Sequence, residues 1–124
     1  MRIVEWRTMD MTKIGERETG KIENAYGAPG FILREELING EELGAHCRMF
    51  RVVTIPAGNG LGYHEHHGET ETYYILSGKG VYNDNGTDIP VEAGDVTFCK
   101  DGCGHGMMNN GEEDLVFIAL VLKL

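Results

Sequence analysis

From Cys47 to the end of the chain, apolar and β-branched residues come in short runs separated by glycine-containing turns. "RMFRVVTI" (48–55) stops at "PAGNG" and "ETYYIL" (71–76) stops at "SGKG". "VYN" and "TDIPVE" flank "DNG", where Asn85 and Gly86 can take the positive φ angles of a two-residue hairpin turn. "DVTFC" (95–99), "HGMMN" (105–109) and "LVFIALVLKL" (115–124) complete the series. Pro90 inside its run predicts an edge strand or a bulge, because proline cannot donate to a ladder. Many short strands without a long helical pattern predict an all-β sandwich or barrel. A small closed barrel turns alternate residues into one interior, where a ligand can sit.

Residues 1–45 follow a different pattern, polar and rich in turns, with "YGAPGF" (26–31) marking a loop. Only "FILREELIN" (31–39) could form a short helix or strand there. The expected organisation is one domain, with a peripheral N-terminal segment or arm over 1–45 and the barrel over 46–124. At 124 residues the chain can bury one core.

Charge narrows the partners. Eleven basic against twenty acidic residues give a net charge of −9, a field that repels phosphate backbones and anionic lipid heads. Neither nucleic acid nor a membrane is therefore expected as a partner. The longest apolar run, "LVFIALVL", is about half of the roughly twenty residues a helix needs to span a bilayer. "MRIVEWRTMDMTK" lacks the apolar core of a signal peptide, and three cysteines are odd in number. Reduced thiols in the cytoplasm are the expectation, with a Cys99–Cys103 disulfide the less motivated alternative.

The histidines carry the chemistry. Three of the five fall within "YHEHHGETETYY" (63–74). On a strand, His64 and His66 share one face and His67 points away, so the first two can converge on one ion. By the same parity Glu71, Tyr73 and Ile75 share a face, opposite Thr72, Tyr74 and Leu76. Apolar side chains on both faces predict a strand buried on both sides, in which Glu71 needs a partner. Glu65, His67 and Glu69 are read as rim residues in solvent. Farther along, His105 shares a face with Met107 and Asn109, which puts Met107 at the pocket wall. A set of imidazoles with one carboxylate suits a divalent transition metal and requires no thiolate.

These positions carry a resemblance. Gly58, His64, His66, Glu71 and Gly78, followed after fifteen residues by Gly94, Gly102, His105 and Asn109, resemble the two signature motifs of the cupin superfamily. The second motif usually has a proline where this chain has Lys100, a difference that touches the turn rather than the ligand set. Phrases such as "ETYYILSGKG" and "AGDVTF" are also similar to small bacterial members described as oxalate decarboxylase-like or sugar-phosphate isomerase-like. The resemblance implies a double-stranded β-helix, or jelly-roll barrel, and a single divalent ion (Mn, Fe, Ni or Zn) held by His64, His66, Glu71 and His105. It also implies a homodimer, with the N-terminal segment as a source of exchanged edge strands.

Four protein ligands on an ion that accepts six leave two positions for a small oxygenated compound, a carboxylate or a sugar. Two functions follow from different classes. One is an isomerase, decarboxylase or dioxygenase, in which Glu71 could double as a general base and Tyr73 offers a hydroxyl beside it. The other is a non-catalytic module that uses the metal to capture the same kind of molecule. The complete ligand set and the pocket-facing Tyr73 and Met107 incline the balance toward catalysis, and a pocket without a proton-transfer group would reverse it.

Overall fold

The computed structural model describes residues 11–124; the first ten residues of the expected N-terminal segment lie outside the described residues. Ten strands follow in chain order: β1 (Thr19–Glu23), β2 (Phe31–Glu36), β3 (Cys47–Ile55), β4 (Gly60–Glu65), β5 (Glu69–Ser77), β6 (Lys79–Asp84), β7 (Thr87–Glu92), β8 (Val96–Cys99), β9 (Gly104–Met108) and β10 (Leu115–Lys123). They form two antiparallel sheets, one of order β1-β2-β3-β10-β5-β8 and one of order β4-β9-β6-β7. The fold is an all-β jelly-roll barrel: the spacing of the runs predicts the all-β class, and the resemblance implies the jelly roll. Among the described residues no helix is long and apolar enough to cross a membrane.

The alternation of side chains builds the interior. On β10, Leu115, Phe117, Ala119 and Val121 are at most 1% exposed, and each packs inward between β3 and β5. Full burial of one such side chain is worth about 1.5–3 kcal/mol, so this strand anchors the six-stranded sheet. On β5 the inward face holds Glu71, Tyr73 and Ile75, with the parity the sequence predicts. The outward face departs from expectation. Tyr74 is 46% and Leu76 44% exposed, because among the described residues no second layer covers that side of the sheet.

The turns behave as their residues require. Asn85 (φ 50°) and Gly86 (φ 104°) close the β6–β7 hairpin, with Asp84 opposite Thr87. Pro90 lies in β7, an edge strand. The segment that could be helix or strand forms β2, and it pairs with β3, so β1 and β2 extend the same sheet at its edge. "YGAPGF" begins within a single 3-10 turn, Ala25–Gly27, packed against β4. All three cysteines are unpaired.

Candidate metal centre

Four side chains from three strands and the end of one of them meet inside the barrel. His64 comes from β4, Glu71 from β5 and His105 from β9, while His66 sits one residue beyond the end of β4. One ligand-competent atom from each lies within 4.8 Å of all the others. His66 Nε2 is 2.9 Å from Glu71 Oε1 and 3.1 Å from His105 Nε2. His105 Nε2 is 2.9 Å and His64 Nε2 3.6 Å from the same carboxylate oxygen. Strand parity alone does not produce this convergence. Pairing of β4 with β9 shifts register between Leu61 and His64, and the strand ends before His66. The same pairing sets His64 directly opposite His105, a neighbour forty-one positions away in sequence.

The outer nitrogen of each of the three imidazoles has a hydrogen-bond partner. His64 Nδ1 lies 2.8 Å from the carbonyl of Gly62, which can only accept, so Nδ1 carries the hydrogen. His66 Nδ1 donates to Glu69 Oε2 at 2.5 Å. His105 Nδ1 lies 2.8 Å from the Tyr82 hydroxyl, which can donate or accept. Each ring then turns its Nε2 inward, toward the Glu71 carboxylate. Four electron-rich atoms this close repel one another unless a cation, or a proton, sits among them. The donor set therefore suits a metal ion.

The electrostatics follow from the same contacts. Burial pushes the Glu71 carboxyl up, but His105, His64 and His66 overcome it and hold it far below the usual carboxylate range. Hydrogen bonding to Glu71 raises His66 above the ordinary imidazole value, against burial and with help from Glu69. Burial lowers His105 despite its bond to Glu71. Tyr73 is 1% exposed, and burial lifts its phenol well above the ordinary value, so it remains a neutral donor. Its hydroxyl lies 3.3 Å from Glu71 Oε1 and 3.5 Å from His105 Nε2.

His64, His66 and Glu71 of this set line a cavity of about 290 Å³. Apolar side chains of β3, β4 and β10 form much of its wall, and Tyr26, Arg48 and Arg51 supply polar lining. This volume is at the lower end of the ~300–1,000 Å³ of small-molecule sites, so a small ligand fits best.

Some sequence expectations are revised. Glu69 is not a solvated rim residue: it lies in β5, its side chain is 15% exposed, and it bridges His66 and the guanidinium of Arg48. Met107 is 1% exposed in the core and does not line the cavity. Asn109 ties down a loop, donating to the carbonyls of Ile55 and Glu113. His67 and Glu65 are exposed and pair with each other, and Lys100 is exposed. Sequence reasoning missed Tyr82 as the partner of His105, and Arg48 and Arg51 as the cations of the cavity. For Glu69 one signal existed, its i,i+3 spacing from His66.

Comparison with known proteins agrees with this architecture. Residues 51–121 match the cupin domain family. The chain is 40% identical over 104 residues to an oxalate-binding protein of Thermotoga maritima, covering 84% of this chain and 86% of that one. It is 41% identical over 58 residues to (S)-ureidoglycine aminohydrolase of Escherichia coli, but these span 47% of this chain and only 22% of the enzyme. A crystal structure of a predicted oxalate decarboxylase from Thermotoga maritima superposes with a TM-score of 0.88 at 38% identity, covering 92% of this chain and 99% of the other.

Proposed function

The chain belongs to the cupin family, and on that basis we propose that it holds one divalent transition metal on His64, His66, Glu71 and His105 to capture a small carboxylate of the oxalate class. The observation that carries this reading is the convergence of three Nε2 atoms and one carboxylate at a small cavity. When bound, the ion supplies positive charge and Lewis acidity to carboxylate oxygens. The protein's part is orientation. Gly62, Glu69 and Tyr82 hold the three rings with their Nε2 atoms inward and the apolar wall excludes water, while Arg48 and Arg51 are paired with Glu69 and Glu36, so the ion is the charge that attracts an anion. The relative described as oxalate-binding supports the ligand class. Nitrogen and oxygen donors accept Mn, Fe, Ni or Zn alike, so the metal is left open among them.

Capture is favoured over turnover because most groups able to move a proton here are already engaged: Glu69 with Arg48 and His66, Glu71 with the three imidazoles. One observation favours the catalytic reading instead. The neutral Tyr73 hydroxyl, 3.3 Å from Glu71 Oε1, could deliver a proton to a bound ligand. Metal content by mass spectrometry and calorimetric titration with oxalate test the proposal. One ion per chain and oxalate binding only when metal-loaded are expected. Equal, sub-stoichiometric metal in the wild type and a His64→Ala, His105→Ala double variant would sink it. Consumption of oxalate that stops in Tyr73→Phe would replace capture by catalysis.

We also propose a homodimer in the reducing cytoplasm, a location supported by the three unpaired thiols. For the dimer the support is the outer face of the six-stranded sheet. Val52, Ile118, Tyr74 and Val96 form one uncharged row across four strands, and Phe50, Leu120, Thr72 and Phe98 form the next. Four adjacent strands, the longest of nine residues, make a face of roughly 20 by 30 Å. That is on the scale of a standard interface, with about 800 Å² per partner. A self-repelling acidic chain is best joined through such a charge-free face. Sedimentation velocity on Tyr74→Glu, Phe98→Glu should show monomers with unchanged metal content; an unaltered dimer would refute this surface.

A further inference from the structure

Tyr26 is a bulky side chain of the pocket rim held in a strained backbone. Its φ of 49° and ψ of 38° are left-handed, a region rarely adopted by large residues, and Asn24, two positions earlier, is left-handed as well. The surrounding structure over-determines this turn. Asn24 Nδ2 donates to the carbonyl of Ala28, and the amides of Gly27 and Ala28 donate to the carbonyls of Asn24 and Ala25. Gly62 on β4 leaves space for it, since a Cβ there would come within 2.1 Å of the Tyr26 carbonyl oxygen. The turn and the strand that carries His64 are thus interlocked.

The ring at the end of this turn lies flat against the metal centre. Tyr26 stacks on His64 with centroids 4.0 Å apart and planes 12° from parallel, and it lines the same cavity as Arg48, Glu71 and Tyr73. It is also 62% exposed, so burial of the tyrosine itself does not account for its strained placement. A surface aromatic that only filled space would have no need of a left-handed backbone. Held here, the ring covers one face of His64 and narrows the mouth of the cavity.

We infer that Tyr26 is a specificity-determining residue: stacked on His64, it walls the cavity mouth and restricts the captured carboxylate to short, oxalate-sized diacids. The inference rests on the carboxylate-capture reading above. Removal of the ring should loosen the fit of a short diacid and admit longer ones, which differ from it by whole methylene groups. Discrimination by such groups amounts to about 10- to 200-fold in a closely fitting site.

The test is calorimetric titration of the metal-loaded protein with oxalate and with succinate, for the wild type, Tyr26→Phe and Tyr26→Gly. Glycine is chosen because it accepts a φ of 49° without strain, so the turn can persist. Thermal melting and one metal per chain confirm that each variant is intact. The wild type and Tyr26→Phe should share a strong preference for oxalate, and Tyr26→Gly should lose about tenfold or more of that preference. An oxalate-to-succinate ratio unchanged in Tyr26→Gly overturns the role of Tyr26 and leaves carboxylate capture standing. A wild type that binds neither diacid overturns capture and this inference with it.

Discussion

Replacing Glu69 by alanine should weaken metal binding although Glu69 is not one of the four converging donors. Its carboxylate accepts from His66 Nδ1 at 2.5 Å, and that ring is buried, with 5% of its side chain exposed. Removal of the acceptor leaves a buried N–H without a partner and frees the ring to rotate or to shift its proton to Nε2. A hydrogen bond to a charged group contributes about 1.5–3 kcal/mol. At about 1.4 kcal/mol per factor of ten, that is roughly 10- to 100-fold in affinity, the range found for outer-shell partners of metal-bound histidines. Arg48 on the far side of Glu69 is 47% exposed, so its ion pair is screened and worth at most about 1 kcal/mol. The order of effects is therefore Glu69→Ala largest, Glu69→Gln smaller because an acceptor oxygen remains, and Arg48→Ala smallest. Competition against a chromophoric chelator measures each dissociation constant, with melting curves of the metal-free proteins as the control for folding. If Glu69→Ala binds metal within about threefold of the wild type, the claim that the outer hydrogen bond sets the His66 tautomer is wrong.

Further outcomes follow from the same contacts. The raised pKa of His66 contributes stability to the metal-free protein that is complete below the unfolded value near 6.5 and is lost as pH rises through the higher folded value. Metal binding needs that proton gone, so the melting temperature gap between metal-loaded and chelated protein should widen from about pH 6 to about pH 8; a constant gap contradicts the assignment. Tyr82→Phe removes the hydroxyl 2.8 Å from His105 Nδ1 and should cost about 1–3 kcal/mol of stability, read by urea unfolding, together with weaker metal binding. A variant as stable as the wild type would show that the hydroxyl is dispensable. Gly78→Ala should unfold the chain more readily, by about 3 kcal/mol or more. Its φ is 87°, and a Cβ would fall 2.3 Å from the Asp114 carbonyl oxygen, so a soluble variant with an unshifted melting point would contradict this close approach of turn and strand.

The legible parts of the fold rest on short-range physics. The Asn85–Gly86 turn could be read because a two-residue hairpin demands positive φ at both positions, and those residues allow it. Alternation on β5 assigned Glu71, Tyr73 and Ile75 to one face, and that face is the interior. The outer face of the same strand was misjudged because period-two patterning says which residues share a side, not what covers it.

The site divides in the same way. His64, His66, Glu71 and His105 were visible as residue types at motif spacing, since a metal needs nitrogen and oxygen donors and few other side chains supply them. The groups that orient those donors were not visible. Tyr82 reaches His105 through the pairing of β6 with β9, Arg48 reaches Glu69 across β10, and Tyr26 reaches His64 through a strained turn placed beside β4. None of these pairs is local in sequence, and tyrosine, arginine and glutamate occur in many settings. The all-β class, the turns and the donor set could be read from the order of residues, because each depends on local backbone preference or on the chemistry of a few residue types. Which neighbours hold the imidazoles with their Nε2 atoms inward was settled in three dimensions, where strand register and one bulge bring residues tens of positions apart within hydrogen-bonding distance.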